Sequence, residues 1–324
     1  MKVLIVGGAG YLGGAITDLL KGTGHAVRVY DLLLYEETYR KNVPFVFGDV
    51  RDHEKLKSQF DWADLVIWLA ALVGDPACSL NESLTREINV NSVRFLRENF
   101  KGRIIFISTC SVYGAADGLL DENSPLNPLS SYAKTKLEAE NILKETNALI
   151  FRLGTLFGIS DPFARIRFDL VLNTLVMRAV VHKKISVFGG QQYRPLLHVR
   201  DVAATITQCL ERKNAGIYNL HSQNTTIIEI ANRLEEYFPE LKVDKADAMF
   251  QDNRNYRVSS QKAKEELGFM PGLTVDDGIK EIKSLLEEGR IKNSFITRFS
   301  NYLFLKPLFD EYQSPLGKSV KFNI

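Results

Sequence analysis

A glycine-rich turn close to the N-terminus limits the folds open to this chain more than any other feature of its sequence. The run Gly7-Gly-Ala-Gly-Tyr-Leu-Gly13 directly follows a short apolar segment, Lys2–Val6, that has the pattern of a buried parallel strand. A helical pattern begins at Tyr11. Glycines at this spacing allow a tight turn, a close approach of the backbone to a pyrophosphate, and close packing of the helix on the strand. Because a helix N-terminus offers free N–H groups and the positive end of the helix dipole, the turn predicts a dinucleotide-binding unit.

An acidic residue at the end of the second predicted strand supports this interpretation and selects between two dinucleotides. Asp31 follows the apolar run Ala26–Tyr30, at about the 20-residue spacing from the turn that is typical of dinucleotide-binding folds. A carboxylate there can accept hydrogen bonds from the adenosine ribose hydroxyls, and it repels a 2′-phosphate. No arginine directly follows it. The sequence therefore predicts NAD rather than NADP.

Short apolar runs alternate with helical patterns through the first half of the chain. Such βα units build a parallel sheet with helices on both faces, because a right-handed crossover needs a helix between neighbouring strands. The predicted fold class is therefore α/β, a Rossmann-type doubly wound parallel sheet, followed past Gly158 by a smaller C-terminal domain in which the alternation stops. The predicted strands are Lys2–Val6, Ala26–Tyr30, Pro44–Phe47, Asp64–Leu69, Arg103–Ser108 and Ala148–Leu153. The predicted helices are Tyr11–Lys21, Ser83–Phe100 and Ser130–Thr146, the last capped by Ser130 or Ser131.

The composition excludes several classes of protein. Of 324 residues, 45% are hydrophobic and 25% are charged, as in ordinary globular proteins. A formal net charge of +2 argues against nucleic acid as a partner, since phosphate binding usually leaves a strongly basic face. No apolar run approaches the ~20 residues that cross a bilayer, and no signal peptide is evident, so we expect a cytoplasmic protein without a membrane partner. The three cysteines and five histidines are scattered, which predicts neither disulfides nor a metal site.

A tyrosine and a lysine four residues apart supply a candidate acid–base centre. Tyr132 and Lys136 lie on one face of a predicted helix, because positions i and i+4 are neighbours on a helix surface. A phenol has a pKa near ~10, and a nearby ammonium together with the positive nicotinamide ring of NAD⁺ favours its deprotonated form. Thr109 follows the fifth predicted strand, at the end of the sheet where such folds bind their ligands. Its hydroxyl can donate to a substrate oxygen that Tyr132 deprotonates.

Several ordered motifs combine these features with others. They are GGAGYLG at residues 7–13, Asp31, GDVRD at 48–52, LAA at 69–71, NVNS at 89–92, STCSVYG at 108–114 and YAKTK at 132–136. Together they resemble the extended short-chain dehydrogenase/reductase superfamily, and within it the NAD-dependent nucleotide-sugar epimerases and dehydratases. The resemblance spans roughly residues 1–285. It implies NAD as the cofactor and a nucleotide-diphosphate sugar as the substrate.

The resemblance also implies roles for individual residues of this sequence. Catalysis is assigned to Thr109, Tyr132 and Lys136. The implied cofactor-binding residues are Gly7, Gly10, Tyr11, Leu12, Gly13, Asp31, Asp49, Val50, Leu69, Ala70, Ala71, Asn89, Tyr132 and Lys136. The implied substrate-binding residues are Thr109, Ser111, Asn173, Arg194 and Arg254. One departure from the family pattern is Trp68, which stands where the family usually has a histidine before LAA.

A division into domains and an oligomeric state are implied by the same resemblance. Residues 1–158 and about 196–222 form the expected NAD-binding domain, and about 159–195 and 223–289 form the nucleotide-sugar-binding region. The tail 290–324 matches no motif and has no assigned role. Members of the family pair through two helices, here Ser83–Phe100 and Ser130–Thr146, so we expect a homodimer. The apolar spacing on these helices is consistent with pairing and equally with packing on the sheet.

The two residues directly after the catalytic threonine narrow the choice of reaction. The 4,6-dehydratases of the family carry an Asp-Glu pair there, whereas this chain has Cys110 and Ser111. We therefore favour a 4-epimerase that acts through a transient 4-keto sugar. A dehydrogenase or reductase of keto-sugars or heptoses is the main alternative, and an NAD-binding sensor without turnover is a further one that the intact Thr109–Tyr132–Lys136 set argues against. A role for the Cys110 thiol in removing the proton at C5 stays open.

Overall fold

The overall architecture is an α/β fold with a smaller second lobe. A computed structural model describes residues 1–246 and 254–312. The strands are β1 Lys2–Val6, β2 Ala26–Asp31, β3 Phe45–Phe47, β4 Leu65–Trp68, β5 Arg103–Thr109, β6 Ala115–Leu120, β7 Leu149–Leu153, β8 Thr155–Phe157, β9 Lys184–Phe188, β10 Tyr193–His198, β11 Gly216–Leu220, β12 Gln223–Thr226, β13 Lys242–Ala246 and β14 Asn255–Val258. The helices are α1 Tyr11–Leu20, α2 His53–Trp62, α3 Asp75–Ser79, α4 Glu82–Arg86, α5 Ser92–Asn99, α6 Ser131–Leu143, α7 Val171–His182, α8 Val199–Gln208, α9 Ile227–Tyr237, α10 Gln261–Leu267, α11 Val275–Glu287 and α12 Asn301–Tyr312.

A seven-stranded sheet forms the centre of the first lobe. Its strand order is β11-β7-β5-β4-β1-β2-β3, and each neighbouring pair is parallel. The chain moves from β1 outward to β3 in one direction and then from β4 outward to β11 in the other. The order therefore reverses between β1 and β4, and ligands bind at such a reversal outside the carboxyl ends of the strands. The predicted Rossmann-type doubly wound sheet is confirmed.

Two apolar layers bury the faces of this sheet. On β1, Val3 and Ile5 point to one layer while Leu4 and Val6 point to the other, and all four are fully buried. The first layer is completed by helices α1 and α8, and the second by α2, α5 and α6. Alternate side chains of a strand point to opposite faces, so a strand covered on both sides must be apolar throughout. This is why β1 is one apolar run after Lys2.

The second lobe has its own apolar cluster and smaller sheets. Helices α7, α9 and α11 bury a cluster that includes Leu172, Ile230 and Ile279. The small sheets have the orders β12-β10-β8, β13-β9 and β14-β6. The exact boundaries of the two domains stay a prediction. Within the described residues, no helix is both long and apolar enough to cross a membrane.

The segment predicted as one helix over Ser83–Phe100 has a different structure. It consists of α4, a π-helical turn Glu87–Asn91 and α5. The π turn brings the Asn89 side chain inward, where it makes two hydrogen bonds to the backbone of Leu72. Asn89 Oδ1 accepts from Leu72 N–H at 2.8 Å, and Asn89 Nδ2 donates to Leu72 O at 3.0 Å. The extra residue of the π turn makes the step between the core-facing residues Ile88 and Val93 five residues long instead of the three or four of an α-helix, a break in the apolar spacing that the prediction of one continuous helix overlooked.

Three of the apolar residues on the helices expected to form a dimer pack inside the chain. Val93, Leu96 and Leu143 are at most 1% exposed and belong to the layer beneath α5 and α6. These residues therefore give no support to pairing with a second copy, and the homodimer stays a prediction.

Of the two serines predicted to cap helix α6, Ser130 is the N-cap, and its Oγ accepts from Ala133 N–H at 3.2 Å.

A buried ion pair joins helix α6, which carries the YAKTK motif, to strand β7. Arg152 on β7 donates to Glu140 on α6, with Nη2 and Oε2 2.7 Å apart, and both side chains are at most 2% exposed. Glu140 also accepts from Ser108, and Arg152 donates to the Tyr113 hydroxyl at 3.0 Å. Each of these buried side chains therefore has a hydrogen-bond partner within the network, as buried polar groups require.

Removing the charge of Glu140 should therefore destabilise the fold severely. We expect Glu140→Gln to lower the free energy of unfolding by about 3–5 kcal/mol, because it leaves the Arg152 guanidinium buried without a counter-ion. The matched control is Glu138→Gln on the same helix, whose ion pair with Arg86 is exposed and should contribute about 1 kcal/mol or less. Urea denaturation compares the two variants, and equal losses of stability would contradict the prediction.

Candidate active site

A cavity of about 680 Å³ opens at the carboxyl ends of the strands on either side of the reversal point. Its walls come from the turn after β1, the end of β2, the loops after β4 and β5, and the start of α6. It continues toward the second lobe. The size is within the range of about 300–1,000 Å³ typical of small-molecule sites. The fold therefore gathers residues from separate βα units at one site.

The glycine turn is shaped by contacts that leave no room for side chains. Gly7 has φ +85°, and a Cβ on it would lie 2.5 Å from the backbone nitrogen of Ala70. A Cβ on Gly13 would lie 2.5 Å from the carbonyl oxygen of Gly8. Gly10 is the N-cap of α1 and brings no capping side chain. The turn thus presents bare backbone and a helix N-terminus to the cavity, and this arrangement fits a dinucleotide pyrophosphate.

The Asp31 carboxylate lines the cavity and is held in place by backbone N–H groups. Ala9 N–H donates to its Oδ2 at 2.9 Å, and Leu33 N–H donates to its Oδ1 at 2.7 Å. Burial raises the pKa of Asp31 above its ordinary value, and these hydrogen bonds act in the opposite direction. Each carboxylate oxygen can accept a further bond. Asp31 is therefore oriented to receive ribose hydroxyls.

The other residues predicted to bind the cofactor occupy two kinds of place. Those that line the cavity with the turn and Asp31 are Tyr11, Leu12, Asp49, Val50, Leu69, Ala70 and Ala71. Asn89 lies behind the cavity wall and fixes the backbone of Leu72, so it supports the site without lining it.

Trp68, the residue that departs from the family pattern, is fully buried, and its ring packs near Phe60 in the core. The tryptophan that replaces the family histidine thus lies outside the cavity.

Thr109, Tyr132 and Lys136 all line the cavity, as the sequence predicts. The Lys136 ammonium donates to the carbonyl oxygen of Ile107 at 2.8 Å, and burial lowers its pKa to about 8. Burial raises the pKa of Tyr132, and the charge of Asp75 acts in the same direction. The expected deprotonated form depends on the nicotinamide ring of bound NAD⁺, whereas the protein's own groups favour the protonated phenol. The reason is that burial of the phenol is the largest effect on its pKa.

The two residues after Thr109 differ in their placement. Ser111 lines the cavity, and its N–H donates to Thr109 Oγ1 at 3.1 Å. Cys110 is fully buried, and its thiol donates to the carbonyl oxygen of Arg152 at 3.2 Å. Burial also raises the pKa of this thiol. A role for Cys110 in proton abstraction therefore does not fit the structure.

The predicted substrate-binding residues are brought together with one exception. Arg194 and Arg254 line the cavity at its second-lobe end, and Arg254 forms an ion pair with Asp75, with Nη1 and Oδ2 2.7 Å apart. Asn173 is the exception. It is fully buried, accepts from Gly158 N–H at 2.9 Å and donates to a backbone carbonyl, so its amide holds a loop and does not line the cavity.

Several cavity-lining residues were missed by the sequence analysis. Arg167 and Asp169 form an ion pair in the cavity wall, with Nε and Oδ1 2.6 Å apart, and Arg165 lies beside them. The alternation of charged and apolar residues in this segment was a signal that could have marked them. Asn301 and Tyr302, from the tail without an assigned role, complete the wall. No local pattern marks these two residues. Among the described residues no group of side chains could hold a metal ion.

Comparison with known proteins gives the family. Residues 3–220 match the profile of the NAD dependent epimerase/dehydratase family. A putative UDP-glucose 4-epimerase of Methanocaldococcus jannaschii is 28% identical over 86% of this chain and 96% of its own length. The UDP-glucose 4-epimerase of Corynebacterium glutamicum is 26% identical over 84% of this chain and 91% of its own length.

Solved structures show the same fold. A UDP-glucose 4-epimerase of Thermotoga maritima, solved with UDP-glucose, has a TM-score of 0.79 and 23% identity, and covers 90% of this chain and 100% of its own. A dTDP-glucose 4,6-dehydratase of Streptomyces venezuelae, solved with NAD, has a TM-score of 0.77 and 24% identity. The match covers 90% of this chain and 98% of the dehydratase chain. The expected family and its cofactor, NAD, are confirmed. This chain belongs to the NAD-dependent epimerase/dehydratase family of enzymes.

Proposed function

We propose that this enzyme is an NAD-dependent nucleotide-sugar 4-epimerase. The observation that carries the proposal is the set Thr109, Tyr132 and Lys136 in one cavity, followed by Cys110 and Ser111 in place of an acidic pair. Relatives that cover most of the chain are named as UDP-glucose 4-epimerases. The favoured substrate is therefore a sugar linked to a nucleoside diphosphate, and the net reaction inverts C4.

The cofactor half of the cavity has groups suited to each part of NAD. The glycine turn offers backbone N–H groups to the pyrophosphate, and Asp31 offers carboxylate oxygens to the adenosine ribose. The Lys136 ammonium can turn from Ile107 O toward the nicotinamide ribose. NAD bound there would supply a reversible hydride acceptor for C4 of the sugar, which inversion at C4 requires.

Proton transfer is assigned to Tyr132. The phenol oxygen takes the proton of the C4 hydroxyl and returns it once the 4-keto sugar has rotated, while Thr109 orients the C4 oxygen by a hydrogen bond. Because burial favours the protonated phenol, the opposing positive charges of Lys136 and the nicotinamide ring are needed to make it a base. The return step needs a protonated phenol, which burial already favours.

A dehydratase is disfavoured by the state of the nearby carboxylates. Elimination of water needs a free acid and base close to the sugar. Asp75 is ion-paired with Arg254, and Asp169 is ion-paired with Arg167. Against the effect of burial, the Arg167 guanidinium lowers the pKa of Asp169, and the Asp75 carboxylate is engaged by Arg254, so neither is a free acid–base group for elimination.

Turnover of a panel of UDP-, GDP-, CDP- and TDP-sugars tests the reaction, with products resolved by NMR. A 4-epimerase converts one of them into its C4 epimer without net accumulation of NADH. Stoichiometric NADH formation would instead identify a dehydrogenase, and a 4-keto-6-deoxy product would identify a dehydratase. Binding of NAD without conversion of any sugar would favour a sensor.

Removing the Tyr132 hydroxyl should abolish the chemistry while leaving binding intact. We expect Tyr132→Phe to reduce kcat by about 10²–10⁴-fold, because the ring is kept and only the proton-transfer group is lost. Affinity for NAD and for the nucleotide sugar should stay within about 3-fold of wild type, as measured by titration calorimetry. Ser131→Ala, adjacent in the chain and facing Glu82, is the control. A Tyr132→Phe enzyme with wild-type turnover would eliminate this mechanism.

Asp31 should set the preference for NAD. We expect Asp31→Asn to weaken NAD binding by about 10-fold or more, since an acceptor carboxylate is lost, and to bring the affinity for NADP closer to that for NAD. The measurement is the pair of dissociation constants for the two cofactors. The control is Glu37→Ala, which removes a nearby exposed carboxylate and should change neither dissociation constant. Tighter binding of NADP than NAD by the wild type would show the assignment to be wrong.

Lys136 should make cofactor binding depend on pH. Its ammonium is charged below its pKa of about 8 and loses the charge as pH rises through that value. We therefore expect the affinity for NADH to fall as pH rises through about 8 and above, and this dependence to vanish in Lys136→Met. Lys134→Met, an exposed position on the same helix, should retain it. A pH-independent affinity in the wild type would contradict the role of the ammonium.

A further inference from the structure

The C-terminal segment, defined here as residues 297–309, crosses the cavity. It consists of a 3-10 turn, Thr297–Phe299, and the first nine residues of α12. It lies outside residues 3–220, which carry the family match. Asn301 and Tyr302, at the start of α12, nevertheless line the cavity.

Asn301 joins two walls of the cavity. Its side-chain amide donates to the carbonyl oxygen of Val73 at 2.8 Å and accepts from the Arg165 guanidinium. Its backbone N–H donates to Asp169 Oδ2 at 2.9 Å. Val73 belongs to the loop after β4, whereas Arg165 and Asp169 belong to the loop after β8. Asn301, which is itself only 3% exposed, thus has hydrogen-bond partners on both sides of the cleft.

The rest of the segment is fixed to the loop after β2 and to the loop after β4. Arg298 forms an ion pair with Glu36 at 2.7 Å, and the Phe304 ring packs on Tyr35 with centroids 5.1 Å apart. Leu305 is buried in a cluster with Leu72 and Cys78, the cluster against which Tyr132 and Tyr302 also pack. An element held by buried contacts at several points is ordered with the cleft that it covers.

These partners show which part of the cavity the segment covers. Tyr35 and Glu36 follow β2, the strand that ends at Asp31. Leu72, Val73 and Cys78 follow β4, next to the Leu69–Ala71 stretch predicted to line the dinucleotide. The segment therefore connects the loops on either side of the cofactor half.

We propose that the C-terminal segment is part of the cofactor-binding site. Asn301 is a positioning residue that joins the two walls over the bound dinucleotide, and Tyr302 contacts the dinucleotide from the outer side. NAD leaves the cleft only when these contacts open, so the segment slows its release. The proposal concerns cofactor binding and holds whichever sugar reaction the enzyme performs.

Release of NADH tests the proposal without any sugar substrate. The full-length enzyme is loaded with NADH and chased with excess NAD, and the loss of bound-NADH fluorescence gives the release rate. We expect Asn301→Ala and Tyr302→Ala each to accelerate release by about 10-fold or more. The matched control is Leu303→Ala, the next residue of α12, whose side chain is 49% exposed and which should release NADH at the wild-type rate. Melting temperatures without cofactor separate a general loss of stability from a local effect.

A release rate within 2-fold of the control for both variants would overturn the proposal. Should Asn301→Ala fail to fold, hydrogen exchange on the unaltered chain gives an independent answer. The backbone amides of residues 301–309 should exchange more slowly with NAD bound than without it. Equal exchange in the two states would overturn the assignment of the segment to the cofactor site.

Discussion

The cofactor cleft depends on the close approach of two backbones at the point where the strand order reverses. Gly7 N–H donates to the carbonyl oxygen of Tyr30 at 2.8 Å, and Ala70 N–H donates to that of Val6 at 2.9 Å. These bonds tie the turn after β1 to the strands on both of its sides. A side chain on Gly7 would collide with Ala70, so the turn and the loop after β4 can only be this close with glycine there. The positions of Asp31 and of the 69–71 stretch relative to the turn depend on that contact.

A second constraint lies beneath the residues that we propose to be catalytic. The ion pair between Glu140 and Arg152 fixes α6 against β7, and its hydrogen bond from Ser108 extends the connection to β5. Thr109 follows Ser108 on β5, whereas Tyr132 and Lys136 precede Glu140 on α6. The relative placement of hydroxyl, phenol and ammonium in the cavity is therefore set by buried charges outside it. Such an arrangement keeps the reacting groups preorganised while the cavity itself stays open to substrate.

How much of this site could be predicted depends on how local each feature is. Gly7, Asp31, Tyr132 and Lys136 could be placed in one cavity from the sequence because a single βα unit or helix turn contains the spacing that their predicted chemistry needs. The boundaries of the predicted strands also lie within one residue of the structure, since buried parallel strands are continuous apolar runs. In each case the physical cause and the sequence signal lie within the same short segment.

The features that were missed have distant causes. The amide of Asn173 is used by a backbone loop, and Asn301 reaches the cavity only because α12 packs on α3; neither fact has a local signature. The apolar stripe that includes Val93 and Leu96 showed that one face of a helix is buried, but a stripe does not specify what covers it. Likewise, the effect of burial on the pKa of Tyr132 depends on the packing of the folded chain around it.

The π turn at Glu87–Asn91 has a consequence for how this part of the chain can vary. A π turn contains one more residue than an α-helical turn, so deleting one residue there would restore a regular helix. Each residue of an α-helix advances the chain by about 100° of rotation, and everything after the deletion would be turned by that angle relative to α4. Val93 and Leu96 would then leave the layer beneath the sheet and Asn89 would lose Leu72. The number of residues in this segment is thus fixed more strictly than the identity of its exposed side chains.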